Sequence, residues 1–381
     1  MIDLDGAAEL FAAASDLTVG LEEEFAILDP QSLDLAQRFE ELRDSAAERS
    51  AELREHIAGE LISSEIEIIS GRGGNLAEAI ERQRRFRHEL FEHVHARGAA
   101  LGATATHPWA DYREQRIIDT EHYRRVEEGL QYVAWRNNTF SLHVHVGVRE
   151  LDRAVRVCDR LRPVLPLLLA LSASSPFLDG RASGLHSSRS QIFTRSFPRC
   201  GIPEVFGSWA AYRDYIEFLV STASIIEFTQ VWWSIRPHFA FGTVEVRICD
   251  VQSNAADSEA LAGLMVACVA QALREIDEGV PFADAPGRLI EENMWRAIRD
   301  GLDGKMIDLG RGEEYPSAQI AERLLAWTAP VRAELGIDPK LPELNSAQRQ
   351  RAMLASGASM QEVYAETVRD TRTSYAEEVR A

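Results

Sequence analysis

The sequence predicts an α+β fold, a sheet with one face covered by helices and the other left open. Three observations predict it. Four separate segments alternate apolar and ionisable residues at the strand period. Helical patterns lie between those segments. From about residue 291 onward the pattern is mostly amphipathic helix. A chain of 381 residues has ample length to bury a core. With no internal repeat and no low-complexity linker, residues 1–381 read as one unit.

The strands come first. Along residues 18–28 (TVGLEEEFAIL), Val19, Leu21, Phe25 and Ile27 share one face, and Gly20, Glu22, Glu24 and Ala26 share the other. Along 61–70 (LISSEIEIIS), Ile62, Ile66 and Ile68 oppose Ser63, Glu65 and Glu67. Along 140–148 (FSLHVHVGV), Phe140, Leu142, Val144, Val146 and Val148 oppose Ser141, His143, His145 and Gly147. Along 241–249 (FGTVEVRIC), Val244, Val246 and Ile248 oppose Thr243, Glu245, Arg247 and Cys249. Glu23 breaks the rule by falling on the apolar side, which calls for an arginine partner or a place at the sheet edge.

The helices follow. Gly71-Arg72-Gly73-Gly74 ends the second strand, and Asn75 is placed to cap a helix with apolar Leu76, Ile80, Leu90 and Val94 that stops near Gly98. Residues 151–171 form an apolar helix that Pro163 and Pro166 should kink. Residues 174–208, rich in Ser, Gly, Pro and Arg, read as a long functional or mobile loop. Helices are expected over 212–228 and 257–276, and the chain closes on a charged tail.

Charge and composition exclude several functions. The net charge is −19, which disfavours nucleic acid and anionic membrane as partners, because both need a basic surface. The only Gly-Lys pair, Gly304-Lys305, is followed by Met306, so there is no P-loop. No apolar run looks long enough to span a bilayer, and the acidic N-terminus lacks the basic region of a signal peptide. The four cysteines are widely spaced without a CxxC pair, as suits inert free thiols in a reducing compartment. A cytoplasmic protein is the expectation.

If the four strands share a sheet, its open face gathers Glu22, Glu24, Glu65, Glu67, His143, His145, Glu245 and Arg247. One alternating strand usually means a solvated sheet face. Four strands carrying acidic pairs, a His pair and an ExR point instead to metal. Carboxylates crowded together either take up protons or hold cations. Many carboxylates, few imidazoles and no thiolate favour Mg²⁺ or Mn²⁺ over Zn²⁺.

These segments also resemble a known family. Gly20-Leu21-Glu22-Glu23-Glu24-Phe25 resembles the GxEEEF opening of the carboxylate–amine ligases of the glutamate–cysteine ligase type 2 family. His143-Val144-His145-Val146-Gly147 is similar to its HVHVG segment, Trp232-Trp233-Ser234-Ile235-Arg236-Pro237 to WWDIRP, and Phe241-Gly242-Thr243-Val244-Glu245-Val246-Arg247 to FGTxEVR. Residues 173–199 and Glu292-Asn293-Met294-Trp295-Arg296-Ala297 resemble further signatures, so the likeness runs through about residues 15–310 in consistent order. Residues 311–381 would then be a helical extension of the same catalytic unit. Ser234 stands where the family usually has Asp, and Asp300 where an aromatic residue is common. Both departures bear on the substrate pocket.

The resemblance implies a glutamine-synthetase-like fold, a curved antiparallel sheet backed by helices. It implies ATP-dependent joining of a carboxylate to an amine through an acyl phosphate, with glutamate and cysteine as the leading pair. It implies one metal held by Glu22, His143 and Glu245, and another by Glu24 and Glu67 with Glu65. His145 would meet phosphate. Arg247 and Arg236 would stabilise the transferring phosphoryl group, and Arg181 and Arg189 would meet the substrate carboxylate or the nucleotide. Homo-oligomerisation is the family tendency. Two other classes compete: a metal-dependent hydrolase that uses the HxH and Glu cluster to activate water, and a non-catalytic relative that binds nucleotide as a sensor.

Overall fold

The computed structural model describes residues 3–376; the last part of the charged tail, 377–381, lies outside the described residues. Seven strands make the main sheet: β1 (Val19–Leu28), β2 (Ile57–Ala58), β3 (Glu65–Ile69), β4 (Ala100–Gly102), β5 (Ser141–Gly147), β6 (Ile235–His238) and β7 (Thr243–Asp250). Their order is β6-β7-β5-β1-β3-β2, with β4 also paired to β1, and every pairing is antiparallel. This is the α+β architecture expected from the alternation.

The apolar side of each strand is buried under helices. Val19, Leu21, Val144, Val146, Val244 and Val246 join one core with the Leu151–Leu161, Leu165–Ser172 and Ala255–Asp277 helices. Phe25, Ile27, Ile66 and Ile68 join a second core with Phe86, Leu90 and Phe91 of the Leu76–Ala96 helix. The Asn75 side chain caps that helix by accepting from the Glu78 N–H. A 3₁₀ turn, Arg162–Val164, divides the helix that Pro163 and Pro166 were expected to kink. Gly147 ends β5 where a Cβ would collide with Thr18 Oγ1 and the Ser15 carbonyl, so only glycine lets those backbones meet.

Several elements differ from the sequence reading. The second strand starts at Glu65 rather than 61, because Ser63 N–H donates to the Arg116 carbonyl and Ile62 bridges Ile117 instead of joining the sheet. The helix expected over 212–228 runs Trp209–Ser221, where the Ser221 and Thr222 hydroxyls take the Phe218 carbonyl and Ala223 turns to φ +54°. Residues 174–208 hold a helix, Ser188–Ser196, capped by Ser187. A bulge after Val246 puts Cys249 opposite Leu142, inside the core, and places Asp250 opposite Ser141. Cys249 therefore leaves the open face to which strict alternation assigns it.

The Ala255–Asp277 helix is long and apolar enough to cross a membrane, contrary to the sequence reading, but 83% of its apolar window is buried inside the protein. All four cysteines are free, and burial pushes the thiols of Cys200 and Cys249 up to about 12. The final helix, Met360–Tyr375, packs against β4 and the Leu76–Ala96 helix. Its Tyr375 hydroxyl donates to Glu23 on β1 (3.3 Å). The C-terminal part thus closes the core beneath the strand that carries the acidic triplet.

Candidate active site

Sheet register turns the four motifs into one row. Arg236 lies opposite Glu245, Glu245 opposite His145, and His145 opposite Gly20. One step along, His143 lies opposite Glu22, and Glu24 opposite Glu67. Opposed residues in an antiparallel pair point to the same face, so these groups converge on the side away from the helices. Glu23 faces the other way and finds the arginine it needs. Arg87 donates to both its oxygens (3.1 and 3.2 Å), Gln83 to one (2.7 Å) and Ser258 to the other (2.5 Å).

Three groups of possible ligand atoms result, each mutually within 4.8 Å: Glu22, His145 and Glu245; Glu22, Glu67 and His143; Glu24, Glu60 and Glu67. Glu22 links the first to the second, and Glu67 links the second to the third. This regroups the ligands expected from resemblance. His145 rather than His143 sits with Glu22 and Glu245, because it is His145 that faces Glu245 across the β5–β7 ladder. Glu60 rather than Glu65 completes the group at Glu24 and Glu67. Glu65 is paired with Ala26, one rung beyond. Glu60 lies just before the strand and belongs to no alternation, so periodicity had no means of finding it.

The first end of the row carries its own counter-charge. Arg236 Nε donates to Glu245 Oε2 (2.6 Å), and the Arg247 guanidinium meets the other oxygen. Burial would push the Glu245 carboxyl up, but Arg236, Arg247 and His145 hold it well below the carboxylate range. Burial likewise opposes ionisation of Glu22, and His145 and His143 overcome it. His145 itself is lowered by burial but ends raised by Glu22 and Glu245, with Nε2 3.1 Å from Glu22. Its Nδ1 is 2.9 Å from Thr243 Oγ1, which fixes the ring. His143 is pushed down, by burial first and then by Arg247, against Glu24 and Glu22.

At the second end Arg247 is set against several glutamates and does not offset them. Burial, then Glu24, raises the Glu60 carboxyl to about 8. Burial with the neighbouring glutamates pushes Glu65 and Glu67 well above the ordinary range. Ser141 donates its N–H and hydroxyl to Glu24 Oε2, both at 2.5 Å. A cleft of about 670 Å³, open solvent at its mouth included, covers this end. Its charged groups are Glu24, Glu60, Glu65, Arg189 and Arg247, joined by polar side chains that include His122, Asn137 and Ser141, with apolar walls from Leu61, Val126, Leu130, Phe193, Phe197 and Trp232. The donor set fits hard divalent cations: carboxylates outnumber imidazoles, no cysteine enters any of the three groups, and their mutual repulsion is what a cation would relieve.

The loop arginines part company. Arg189 is buried, lines the cleft, and donates to the carbonyls of Ile248 (3.1 Å) and Arg247 (3.2 Å), bracing the bulge in β7. Arg181 is exposed in a short hairpin and does not line the cleft. Trp232 faces the cleft while Trp233 is buried in the core against Tyr215.

The model of glutamate–cysteine ligase family 2 matches residues 18–374. A Rubrobacter xylanophilus protein with the provisional name glutamate–cysteine ligase 2-2 is 37% identical over 363 residues, 95% of this chain and 93% of its own. A Solibacter usitatus protein provisionally named glutamate–cysteine ligase 2 is 38% identical over 84% of this chain and 82% of its own. The chain belongs to glutamate–cysteine ligase family 2. In fold it is similar to the Francisella tularensis glutamate–cysteine ligase solved with AMP, at a TM-score of 0.67 and 13% identity over 96% of this chain and 91% of that one. It is also similar in fold to a bifunctional glutathione synthetase from Pasteurella multocida, at 0.66 and 15%, over 97% of this chain and 54% of that one.

Membership of the glutamate–cysteine ligase family gives the departures from its motifs a place. Ser234 is buried at the entry to β6, where its carbonyl accepts from Arg247 N–H (2.8 Å); it is in none of the three ligand groups. Asp300 ends the Gly287–Asp300 helix and pairs with its neighbour Arg299. Neither alters the row of carboxylates.

Proposed function

We propose that this protein is an ATP-dependent carboxylate–amine ligase that forms an amide, γ-glutamyl in the leading case, through an acyl phosphate. Glutamate and cysteine are the first substrate pair to test. The observation that carries the reading is the row of three linked ligand groups, with Arg236 and Arg247 on Glu245 at one end and an open cleft over the other. Family membership supports it.

A carboxylate is a poor electrophile, so its oxygen first displaces ADP from the γ-phosphorus. The amine, having given its ammonium proton to solvent, then attacks the acyl carbon through nitrogen, the C–O bond to phosphate breaks, and of its two protons the nitrogen keeps one in the amide and loses the other to the departing phosphate. Such chemistry needs positioning and charge neutralisation more than a protein nucleophile. Divalent cations, Mg²⁺ or Mn²⁺, would supply most of that neutralisation when held by Glu22, His145 and Glu245 at one end and by Glu24, Glu60 and Glu67 at the other, with His143 between. Arg247 lies between Glu245 and the cleft, where its guanidinium can follow charge moving from the nucleotide to the acyl group. Arg236 keeps Glu245 ionised and orders its carboxylate. His145 turns Nδ1 to Thr243 and Nε2 to Glu22, so Nε2 is the nitrogen it would offer to a cation that in turn meets the phosphate oxygens. The apolar walls exclude water from an intermediate that hydrolyses readily.

The test is ADP release with ATP, Mg²⁺, glutamate or other carboxylates, and a panel of amines that includes cysteine. Amine-dependent ADP is expected. Its absence with every pair, or tightly held zinc with ATP-independent hydrolysis, would sink the reading.

A further inference from the structure

Glu65 is the one strand carboxylate of the open face that joins none of the three ligand groups. It is 1% exposed, and neither of its oxygens has a hydrogen-bond partner. A buried carboxylate without donors is disfavoured as an anion until a proton or a cationic ligand supplies one. Glu65 lines the cleft, with Arg247 and Arg189 also in its polar part and Leu61, Val126 and Leu130 among its apolar walls. Its register opposite Ala26 sets it one rung off the Glu24–Glu67 pair, so it lies beside the cation row rather than within it.

The geometry points to Glu65 as the ammonium-binding group of the substrate cleft, for a substrate that carries a primary ammonium on an apolar stem. This rests on the ligase reading for the identity of that substrate. An ammonium offers three donors from one compact charge, enough for both Glu65 oxygens and a neighbouring carboxylate oxygen. The apolar walls take the stem, and Arg247 is left to face the carboxylate or phosphoryl end. Two substrates of a glutamate–cysteine type reaction bring this chemistry: the donor amino acid through its α-ammonium, and the acceptor amine.

Calorimetric titration distinguishes them and does not depend on turnover. Wild type and Glu65→Gln are titrated, with Mg²⁺ and a non-hydrolysable ATP analogue present, with glutamate against glutarate, cysteine against 3-mercaptopropionate, and alkyl- and arylalkylamines against the matching alcohols. Wild type should prefer the ammonium member of one pair by about tenfold or more, and Glu65→Gln should lose that preference while binding the counterpart as wild type does. The pair that responds names the source: glutamate for the donor, cysteine or the simple amines for the acceptor. A parallel Mg²⁺ titration should shift by less than about twofold, since Glu65 lies outside the cation groups. No ammonium preference in wild type, equal loss for both members of a pair, or a shift in Mg²⁺ dependence alone would overturn the assignment. If ADP release fails with every pair while the Glu65-dependent preference persists, the ligase reading falls and the ammonium site stands.

Discussion

The two ends of the carboxylate row differ in what holds them. At the β5–β7 end, Glu22 and Glu245 lie among His145, His143, Arg236 and Arg247, and both are stabilised as anions. At the β1–β3 end, Glu60, Glu65 and Glu67 lie among other glutamates, and all three are driven toward the neutral acid. Both ends are buried and built from the same residue type, so neighbouring charge decides the difference. One end holds its carboxylates ionised as folded, as ligands ready for a cation. The other gains its charge balance only when cations or protons arrive.

The comparison is broken most severely at the carboxylate shared by two ligand groups. Glu22→Gln should lower turnover by about a thousandfold or more while circular dichroism stays unchanged. Glu245→Gln should lose as much turnover and also fold less stably, because Arg236 and Arg247 are left buried without their anion, a loss of about 3–5 kcal/mol. Near-normal ADP release from either variant would show that the row is not the reaction centre.

Glu23 tests the same rule on the opposite face of β1. It is a compensated carboxylate with no part in the chemistry. Arg87→Met strands it in the core and should cost about 3–5 kcal/mol in denaturant unfolding. Adding Glu23→Gln should return much of that loss, since a neutral amide tolerates the site better than a lone charge. If the double variant is as unstable as the single one, packing rather than charge holds this joint.

The pH dependence of the metal-free protein separates the two ends without mutation. Glu60 has its pKa raised to about 8, so its contribution to stability is fully present below the unfolded carboxyl value near 4.5 and is lost as pH rises toward 8. Glu65 and Glu67 act in the same direction. Glu22 and Glu245, with lowered values, contribute stability above the unfolded value and lose it as pH falls. In EDTA the unfolding free energy should therefore drop between pH 5 and 8.5, by up to about 1.4 kcal/mol per pH unit for each group titrating, and the Tm should fall with it. Mg²⁺ should reverse the drop, more strongly at the alkaline end, where it competes with fewer protons. A Tm in EDTA that is flat or rises over this range would show that the β1–β3 carboxylates are not forced together.

Much of this was legible because strand alternation is a rigid rule. It put Glu22, Glu24, His143, His145 and Glu245 on one face and singled out Glu23 as breaking the pattern, with an arginine partner or a sheet edge as the two ways to place it. It could not say which histidine meets Glu245, since register comes from pairing and not from a single strand. It misplaced Cys249 because a bulge shifts the alternation by one residue. Glu60 lay outside every periodic segment, and the Ser188–Ser196 helix was hidden in a loop-like composition that Ser187 in fact caps.

The smallest expected effect falls on a residue that resemblance alone singled out. Arg181 and Arg189 sit eight positions apart in one segment and were equal candidates for an anionic substrate. Folding separates them. The Arg189 guanidinium is buried and spans two backbone carbonyls of β7, so it acts by holding the strand that carries Arg247. Arg181 is exposed in the two-residue ladder with Phe177 and Leu178, with no carboxylate within ion-pair distance among the described residues. Solvent screens such a charge, and its removal strands no buried partner. Arg181→Ala should leave stability within about 0.5 kcal/mol and the KM for ATP and carboxylate within about twofold. A KM raised tenfold for either substrate would mean that the 174–208 segment closes over the row during turnover and brings Arg181 to a ligand it does not reach here.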